Sequence, residues 1–192
     1  IDVNAATRKG IVVVNAPGGN SVAVAEHTIA LILCLARKIP IAYDHVKSGK
    51  WDKEKFMGRQ IKGKTLGIFG LGSVGTKVSK RAIALGMKVL AYDPGVSENR
   101  ALRMGVTPKE PKDIFKASDF ITLHTPVTPE TTNLINHETI SMMKEGVYII
   151  NCSRGKVIDE SALIEGLRSR KIAGAALDVL ITEPSPADHP LL

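Results

Sequence analysis

The stretch of sequence that decides the fold spans residues 64–93 and reads KTLGIFGLGSVGTKVSKRAIALGMKVLAYD. It opens with a short apolar segment bounded by glycine, which is typical of a buried parallel strand. The turn GLGSVG follows at residues 70–75, and apolar residues then recur every three or four positions, which predicts an amphipathic helix. Gly86 stands where a left-handed helix end is expected, and a second apolar segment ends in Asp93. The stretch therefore predicts a β-turn-α-β unit that closes on an acid.

Each glycine of the turn has a physical role in a unit that binds a dinucleotide. Gly70 permits the tight turn, Gly72 leaves room for a pyrophosphate to approach the backbone, and Gly75 lets helix and strand pack closely. The free N–H groups and the dipole at the helix start favour the phosphate charge. A glycine pattern alone is a weak signal, but the strand, helix and terminal acid around it favour dinucleotide binding.

Asp93 predicts which dinucleotide is bound. It lies eighteen residues after Gly75, where an acid can accept hydrogen bonds from the ribose hydroxyls of adenosine. A carboxylate there would repel a 2′-phosphate, and no arginine follows directly in the sequence. We therefore expect NAD, rather than NADP, as the cofactor.

Composition restricts the class of protein. The chain has 192 residues, 44% hydrophobic and 23% charged, as expected for one globular domain or one domain with a piece of another. Aromatic residues make up only 4%, which argues against a platform for stacking nucleic-acid bases. The net charge is +7, and basic residues cluster between residues 47 and 64. Because acids and apolar residues are interleaved there, a solvated connecting arm is favoured over a nucleic-acid patch.

Cysteines, histidines and hydrophobic runs indicate the cellular compartment and whether a membrane segment or a metal site is expected. Cys34 and Cys152 lie in apolar runs and suggest neither a disulfide framework nor a zinc site, so we expect a cytoplasmic protein. The most apolar run, residues 28–36, is too short to cross a bilayer, and we expect no membrane partner. His27 has no second metal-ligand type four residues later. The sequence therefore predicts a hydrogen-bonded core histidine and no metal site.

The first twenty residues predict a short helix, a strand and a loop. Residues 1–10 read as the end of a helix closed by Gly10. The β-branched residues 11–14 predict a strand, and residues 15–20 a loop.

The next forty residues predict one long helix and an irregular segment. Residues 21–37 form a helix that is apolar nearly all round, so it should be buried between layers or between subunits, and Pro40 should end it. Residues 41–62 are polar and irregular. An arm that wraps a partner subunit and a plain surface loop both fit this segment, and we favour the arm.

After Asp93 the pattern of alternating strands and helices continues to the end of the chain. In order, it predicts a short edge strand at Val106, a helix at residues 111–117, a strand at 119–124, a helix after Asn136, a strand at 147–152, a helix after Asp159 and a strand at 173–179. Sequential β-α-β units with right-handed crossovers give the α/β class with a doubly wound parallel sheet.

In such a sheet, ligands lie across the carboxyl ends of the strands. The residues predicted there are Asp93, His124, Thr125, Cys152, Ser153, Arg154, Asp178 and Glu183. The planar fork of Arg154 can hold a carboxylate through two parallel hydrogen bonds, although a loop arginine can also point into solvent. Glu183 could orient a histidine, and an exposed loop acid would occupy the same position. Since no histidine stands near Cys152 in the sequence, we predict that this thiol lines the cofactor site and is not a nucleophile.

Four motifs, taken in order, resemble those of the D-isomer-specific 2-hydroxyacid dehydrogenases. They are the glycine turn with Asp93, HTPVTPET at residues 124–131, NCSRG at residues 151–155, and ALDV at residues 176–179 with Glu183-Pro184. The resemblance covers the chain end to end and implies a Rossmann-type NAD-binding domain. Residues 34–37 and 50–58 resemble, within the family, the branch that oxidises 3-phosphoglycerate.

The resemblance implies a role for each candidate residue. Ser73 and Val74 would contact the pyrophosphate, and Asp93 the ribose. Arg154 would bind the substrate carboxylate, and Glu183 would pair with the catalytic histidine that takes the hydroxyl proton as hydride leaves for the nicotinamide. Further cofactor contacts would come from Thr125, Cys152, Ser153, Asp178 and Arg154 itself.

The chain departs from the family pattern in three ways. The family's histidine belongs to a Pro-His-x-Gly motif beyond a further strand, and His189, which precedes Pro190, is not that residue. Residues 1–16 resemble only the last helix and strand of a substrate-binding domain, and residues 17–192 an NAD-binding domain without its final strand and helix. Ser73 stands where the family often has arginine, which weakens any charge contact to the pyrophosphate.

We therefore predict the cofactor domain of an oxidoreductase that transfers a hydride between NAD and a D-2-hydroxy acid. The expected substrate is 3-phosphoglycerate, with reduction of glyoxylate or hydroxypyruvate as the alternative. A non-catalytic NAD-sensing module on the same fold is the rival from another class, because fold does not determine function. We expect a homodimer or higher homo-oligomer, and NAD binding without turnover by these 192 residues alone.

Overall fold

A parallel β-sheet organises the computed structural model, which describes residues 1–16 and 18–192. Its strands are β1 (Thr65–Phe69), β2 (Lys88–Tyr92), β3 (Thr107–Pro108), β4 (Phe120–Leu123), β5 (Val147–Asn151) and β6 (Ile172–Leu177). They lie in the order β3-β2-β1-β4-β5-β6, and every neighbouring pair is parallel. The strand order reverses between β1 and β4, which opens a crevice at their carboxyl ends. The predicted doubly wound parallel sheet is confirmed.

Helices cover both faces of this sheet. The helices of the chain are α1 (Val3–Arg8), α2 (Ser21–Arg37), α3 (Ile39–Lys47), α4 (Ser73–Ala84), α5 (Glu98–Arg103), α6 (Pro111–Ala117), α7 (His137–Met142) and α8 (Glu160–Arg168). Of these, α1 and α3 contain no buried residue, and the other six contribute to the buried clusters on the sheet. Alternate residues of each strand point to opposite faces. Ile68 and Ile150 thus join one buried cluster with α2, α4 and α5, while Phe69 and Ile149 join a second with α6, α7 and α8. The sheet is therefore apolar on both sides, as a parallel sheet requires.

Helix caps predicted from the sequence form as expected. The Asn136 carboxamide accepts a hydrogen bond from the Thr139 N–H at 2.9 Å, and the Thr139 hydroxyl accepts one from the Asn136 N–H at 2.9 Å. This reciprocal pair satisfies two N–H groups at the start of α7. Asp159 caps α8 by accepting from the Ser161 N–H at 3.0 Å. Both caps place their helices directly after loops at the carboxyl edge of the sheet.

Three predictions for the first third of the chain are wrong. Residues 11–14 lie outside any strand and are largely exposed, because no strand of the described residues lies beside them to complete a ladder. The segment at residues 41–62, predicted to be irregular, begins inside a helix, because Ile39–Lys47 form α3. Pro40 does not end α2, which ends at Lys38 in the left-handed conformation (φ 57°). Pro40 instead occupies the first turn of α3, where its missing N–H costs no intrahelical bond.

The long helix α2 has two different faces. Ser21, Ala25, Thr28, Ile32 and Ala36 are buried, and the helix packs on α4 and on the β5–β6 side of the sheet. The opposite face is partly exposed. The predicted burial of α2 is therefore confirmed for one face only, the face that packs on the sheet and on α4. Pro17, inside the predicted loop at residues 15–20 and at the predicted domain boundary, lies outside the described residues.

Within residues 1–16 and 18–192, no helix has the length and apolar character that a membrane span requires.

Candidate functional site

The glycine turn connects β1 to α4 through contacts that exclude side chains. Gly70 has φ +95°, and a Cβ there would stand 2.5 Å from the His124 carbonyl oxygen. A Cβ at Gly75 would collide with the carbonyl oxygen of Gly70. These two positions therefore need glycine for the turn and for the close packing of α4. At Gly72 a Cβ would meet nothing within 4 Å, so this residue faces open space.

The first turn of α4 forms the floor of that open space. Gly72 is the N-cap residue, and no side chain caps the helix there. Ser73 is exposed and Val74 half-buried. The N–H groups of a first helical turn lack intrahelical partners and favour an anion. The geometry is that of a phosphate cradle open at Gly72, in which a side chain would fill the place of the ligand.

Asp93 is held beside the turn by two backbone hydrogen bonds. One carboxylate oxygen accepts from the Leu71 N–H at 2.6 Å, and the other accepts from the Gly95 N–H at 2.8 Å. Each carboxylate oxygen can accept a further bond, so the half-buried group remains able to bind hydroxyls. The end of β2 and the glycine turn are thereby joined through a single acid.

A pocket of about 670 Å³ lies along this edge, next to Asp93 and Gly72. Its volume is in the range of sites that hold small molecules. The Thr125 hydroxyl on its wall is buried, and within the described residues it has no hydrogen-bond partner. Buried polar groups are rarely left unpaired, so this hydroxyl fits a site whose ligand supplies the partner.

His124 lines the same pocket but carries no charge at neutral pH. Burial lowers its pKa to about 4, because the imidazolium form loses its hydration. Its Nε2 lies 3.1 Å from the Thr122 hydroxyl. His124 therefore forms a neutral, hydrogen-bonded wall of the pocket.

The loop after β5 is shaped by Asn151, a contribution that sequence reasoning missed. The buried carboxamide donates to the Arg154 carbonyl at 2.9 Å. Its oxygen accepts from the Ser153 N–H at 3.0 Å and from the Ser153 hydroxyl at 2.8 Å. An asparagine directly after a buried apolar run is a recognisable signal for such a side-chain turn. Asn151 holds the backbone from which Arg154 projects.

Arg154 and Glu183 line one cleft. A side chain at Gly155 would collide with the backbone of Leu180, so glycine there lets the two loops touch. The Glu183 carboxylate accepts from the Leu180 N–H at 3.0 Å. The cleft has a volume of about 470 Å³ and is also lined by Ser153 and Lys156. The Arg154 side chain is exposed and donates to the Ser153 carbonyl at 2.7 Å, so its guanidinium is accessible from the cleft.

Cys152 has a histidine for a neighbour in the folded chain, although none stands near it in the sequence, and the prediction that this histidine, His27, is a core residue is wrong. His27 is exposed rather than buried in the core, and its Nε2 lies 3.4 Å from the Asp178 carboxylate. The ligand atoms of His27, Cys152 and Asp178 all lie within 4.8 Å of one another. Desolvation and the charge of Asp178 raise the pKa of the Cys152 thiol, against a lowering by the Thr28 hydroxyl. The thiol is therefore protonated at neutral pH, which suits a wall residue better than a nucleophile.

His189 takes part in a different structure. Its Nε2 lies 3.3 Å from the Glu160 carboxylate, and its Nδ1 accepts from the Leu191 N–H at 3.3 Å. Both ring nitrogens are thus occupied. Among the described residues, no histidine lines the cleft of Arg154 and Glu183.

Comparison with known proteins identifies the family to which this domain belongs. The profile of the family described as D-isomer specific 2-hydroxyacid dehydrogenase, NAD binding domain, matches residues 29–192. The chain belongs to this family.

Similar proteins carry the same assignment. D-3-phosphoglycerate dehydrogenase of Archaeoglobus fulgidus is 53% identical over 192 residues, which are all of this chain and 36% of that protein. D-lactate dehydrogenase of Aquifex aeolicus, solved with NAD and lactic acid, superposes with a TM-score of 0.84 at 39% identity, covering 94% of this chain and 54% of that one. Glyoxylate reductase of Paecilomyes thermophila superposes with a TM-score of 0.86 at 32% identity, covering all of this chain and 58% of that one.

The predicted family, fold and cofactor are confirmed, and the chain is an NAD-binding domain related to those of D-3-phosphoglycerate dehydrogenases. It spans about a third of the length of the curated relatives that it matches. The roles of individual site residues remain predictions.

Substitution of the turn glycines tests the cradle. Gly72→Val should abolish NAD binding, because the side chain would occupy the open space, while the unfolding free energy falls by at most ~1 kcal/mol through the poorer N-cap. Gly70→Val should instead destabilise the fold, because it forces a branched residue to positive φ. Calorimetric titration with NAD and thermal unfolding of both variants are the measurements. Undiminished NAD affinity in the folded Gly72→Val protein would show that the cofactor binds elsewhere.

Proposed function

We propose that this chain is the cofactor-binding part of an NAD-dependent enzyme that oxidises a D-2-hydroxy acid, with D-3-phosphoglycerate as the substrate. The observation that carries the proposal is the shared cleft of Arg154 and Glu183, on the same sheet edge as the glycine turn. A non-catalytic NAD-sensing module would need neither a carboxylate clamp nor an acid beside it. The choice of substrate rests on the 53% identity to D-3-phosphoglycerate dehydrogenase of Archaeoglobus fulgidus, against 32% to a glyoxylate reductase.

The geometry supports the following cofactor contacts. The pyrophosphate would lie at Gly72, Ser73 and Val74, and the adenosine ribose at Asp93. The unpaired Thr125 hydroxyl would face the adenosine half. Further along the edge, Cys152, Ser153 and Asp178 would line the nicotinamide half. Bound NAD supplies the hydride acceptor for the oxidation.

The proposed substrate contacts are at the other end of the edge. Arg154 would hold the substrate carboxylate through two parallel hydrogen bonds, which orients C2 toward the nicotinamide. Proton transfer needs a general base within hydrogen-bond reach of the substrate hydroxyl. The chain spans 36% of the D-3-phosphoglycerate dehydrogenase of Archaeoglobus fulgidus, and we propose that a histidine of the full-length enzyme is the base, with Glu183 orienting it. We accordingly expect NAD binding, without turnover, from these 192 residues.

The second subunit is the proposed partner. Large apolar side chains are exposed along α3 and the segment after it, namely Ile39, Ile41, Tyr43, Val46, Trp51 and Met57. Exposed apolar surface of this extent is typical of interaction sites. A second copy of the chain, placing its own α2–α3 region against this surface, would bury it, which supports the predicted homodimer.

Substitution of Asp93 tests the ribose contact. Asp93→Asn loses the charge and keeps one oxygen acceptor, so it can pair only one of the Leu71 and Gly95 N–H groups, whereas alanine would leave both unpaired. Hydrogen bonds to charged groups contribute about 1.5–3 kcal/mol, so NAD should bind roughly tenfold more weakly, while NADP improves relative to NAD. The measurement is titration with both cofactors, with Asp44→Asn on the exposed face of α3 as the control. An equal loss for NAD and NADP would contradict the ribose assignment.

Substitution of Arg154 tests the substrate clamp in a full-length protein that contains this chain. Arg154→Lys keeps the charge and loses the planar fork. The KM for 3-phosphoglycerate should rise roughly tenfold to a hundredfold, with the KM for NAD nearly unchanged. The exposed Arg168→Lys, at the end of α8, is the matched control and should change neither constant. An unaltered KM for the hydroxy acid in Arg154→Lys would leave this residue without a role in substrate binding.

Charged substitutions test the dimer. Ile41→Glu combined with Trp51→Glu should convert a dimer into a species with the chain mass of 20.6 kDa, because each chain would bury two carboxylates without partners. Leu102→Glu changes a comparably exposed side chain on α5 and should leave the mass unchanged. Light scattering coupled to gel filtration measures the mass. A monomeric parent chain, or a dimer that tolerates the double substitution, would contradict the proposed interface.

A further inference from the structure

We propose that His27, Cys152 and Asp178 form a binding site for a divalent cation of the zinc class at the carboxyl edge of β5 and β6. The imidazole, thiol and carboxylate ligand atoms lie within 4.8 Å of one another. Within residues 1–16 and 18–192, this is the one group of three such side chains with that spacing. The residues come from parts of the chain that are distant in sequence, so the cluster arises only in the folded protein.

Rigid parts of the fold hold the three positions. His27 lies on α2 next to Thr28, which is completely buried in the interface with the sheet. Cys152 directly follows β5, and the Asp178 N–H donates to the Asn151 carbonyl at 2.9 Å, which joins the ends of β5 and β6. The side chains of His27 and Asp178 are 46% and 50% exposed, so an ion can reach them from solvent.

The three ligand types indicate which ion fits. Imidazole nitrogen, thiolate sulfur and carboxylate oxygen together suit Zn²⁺, whereas Mg²⁺ and Ca²⁺ prefer oxygen ligands throughout. Tetrahedral coordination at ordinary zinc distances places ligand atoms roughly 3.3–3.5 Å apart. The His27 and Asp178 atoms already stand 3.4 Å apart, and rotation of these exposed side chains can bring them closer to the sulfur.

The charge balance also favours such an ion. Coordination replaces the thiol proton, and the resulting thiolate together with the carboxylate neutralises the two positive charges of the ion. Three protein ligands leave the fourth position of a tetrahedron to water, as in sites that exchange their metal or bind a small molecule.

Zinc and cofactor should exclude each other at this edge. This consequence rests on the proposed function, in which Cys152 and Asp178 line the nicotinamide half of the NAD site. An ion held by both side chains would remove them from the cofactor, so bound zinc would inhibit NAD binding. The existence of the cation site does not depend on that assignment.

The first experiment measures the ion alone. The chain, freed of any histidine tag and kept reduced, is titrated with Zn²⁺ by calorimetry and with Co²⁺ by absorption spectroscopy. We expect one ion per chain and the near-ultraviolet charge-transfer band of a cobalt–thiolate bond. His27→Ala should weaken binding about tenfold or more while keeping the band, and Cys152→Ser should remove the band.

Two control variants separate the site from ordinary surface chemistry. His137→Ala removes a histidine 3.5 Å from the Glu165 carboxylate, a pair that matches the His27–Asp178 distance but includes no cysteine. Cys34→Ser removes the other thiol of the chain. Neither should change zinc affinity or the cobalt band. Absence of the band, unchanged affinity in His27→Ala, or an equal loss in His137→Ala would overturn the proposal.

Zinc titration in the presence of NADH distinguishes a failure of this inference from a failure of the proposed function. Saturating NADH should raise the apparent Kd for zinc at least about tenfold in the parent chain. Zinc binding that NADH leaves unchanged would contradict the shared contacts, and an absence of NADH binding would contradict the proposed function. In either case the zinc and cobalt titrations, recorded without NADH, still decide whether the cation site exists.

Discussion

The close approach of α4 to the turn after β1 is the constraint on which the rest of the site depends. The carbonyl oxygen of Gly70 stands where a side chain at Gly75 would lie, so the helix can start against the strand only with glycine at both positions. The Gly70 N–H donates to the Tyr92 carbonyl at 2.9 Å, and Asp93 accepts from the Leu71 N–H. The turn, the helix start and the end of β2 are therefore positioned together, and the phosphate cradle and the acid face the same open space.

A second group of contacts builds the loop that carries Arg154, the end of the edge proposed for the substrate. The Asn151 carboxamide joins β5 to the backbone around Arg154, and Gly155 lets that loop touch Leu180. Buried hydrogen bonds of this kind hold a geometry strongly, because an unpaired partner would cost about 1–3 kcal/mol. An exposed arginine thereby acquires a defined place in the cleft. The sheet fixes the positions of the strand ends, and the loops that follow those ends hold the candidate site residues.

Helix α2 contributes both to the core and to the group of side chains at the carboxyl ends of β5 and β6. Its buried face packs on α4 and on the side of the sheet that carries β5 and β6, which places His27 above the ends of those strands. Its continuation into α3 exposes apolar side chains. The same helix thus contributes to the core, to a cluster of metal-ligating groups and to the surface proposed for a second subunit, because its faces meet three different environments.

The sequence by itself determined the features that depend on neighbouring residues. The β-turn-α-β unit, the caps at Asn136 and Asp159 and the family motifs are all readable, because backbone preferences and hydrophobic periodicity act over a few positions. The predicted strand at residues 11–14 failed for the complementary reason, since a strand needs a partner that local preference cannot supply. Only the tertiary structure decided that His27 stands beside Cys152 and Asp178, and that Arg154 and Glu183 share a cleft. Those groupings depend on how elements distant in the chain pack across one edge of the sheet, and no local pattern in the sequence encodes that packing.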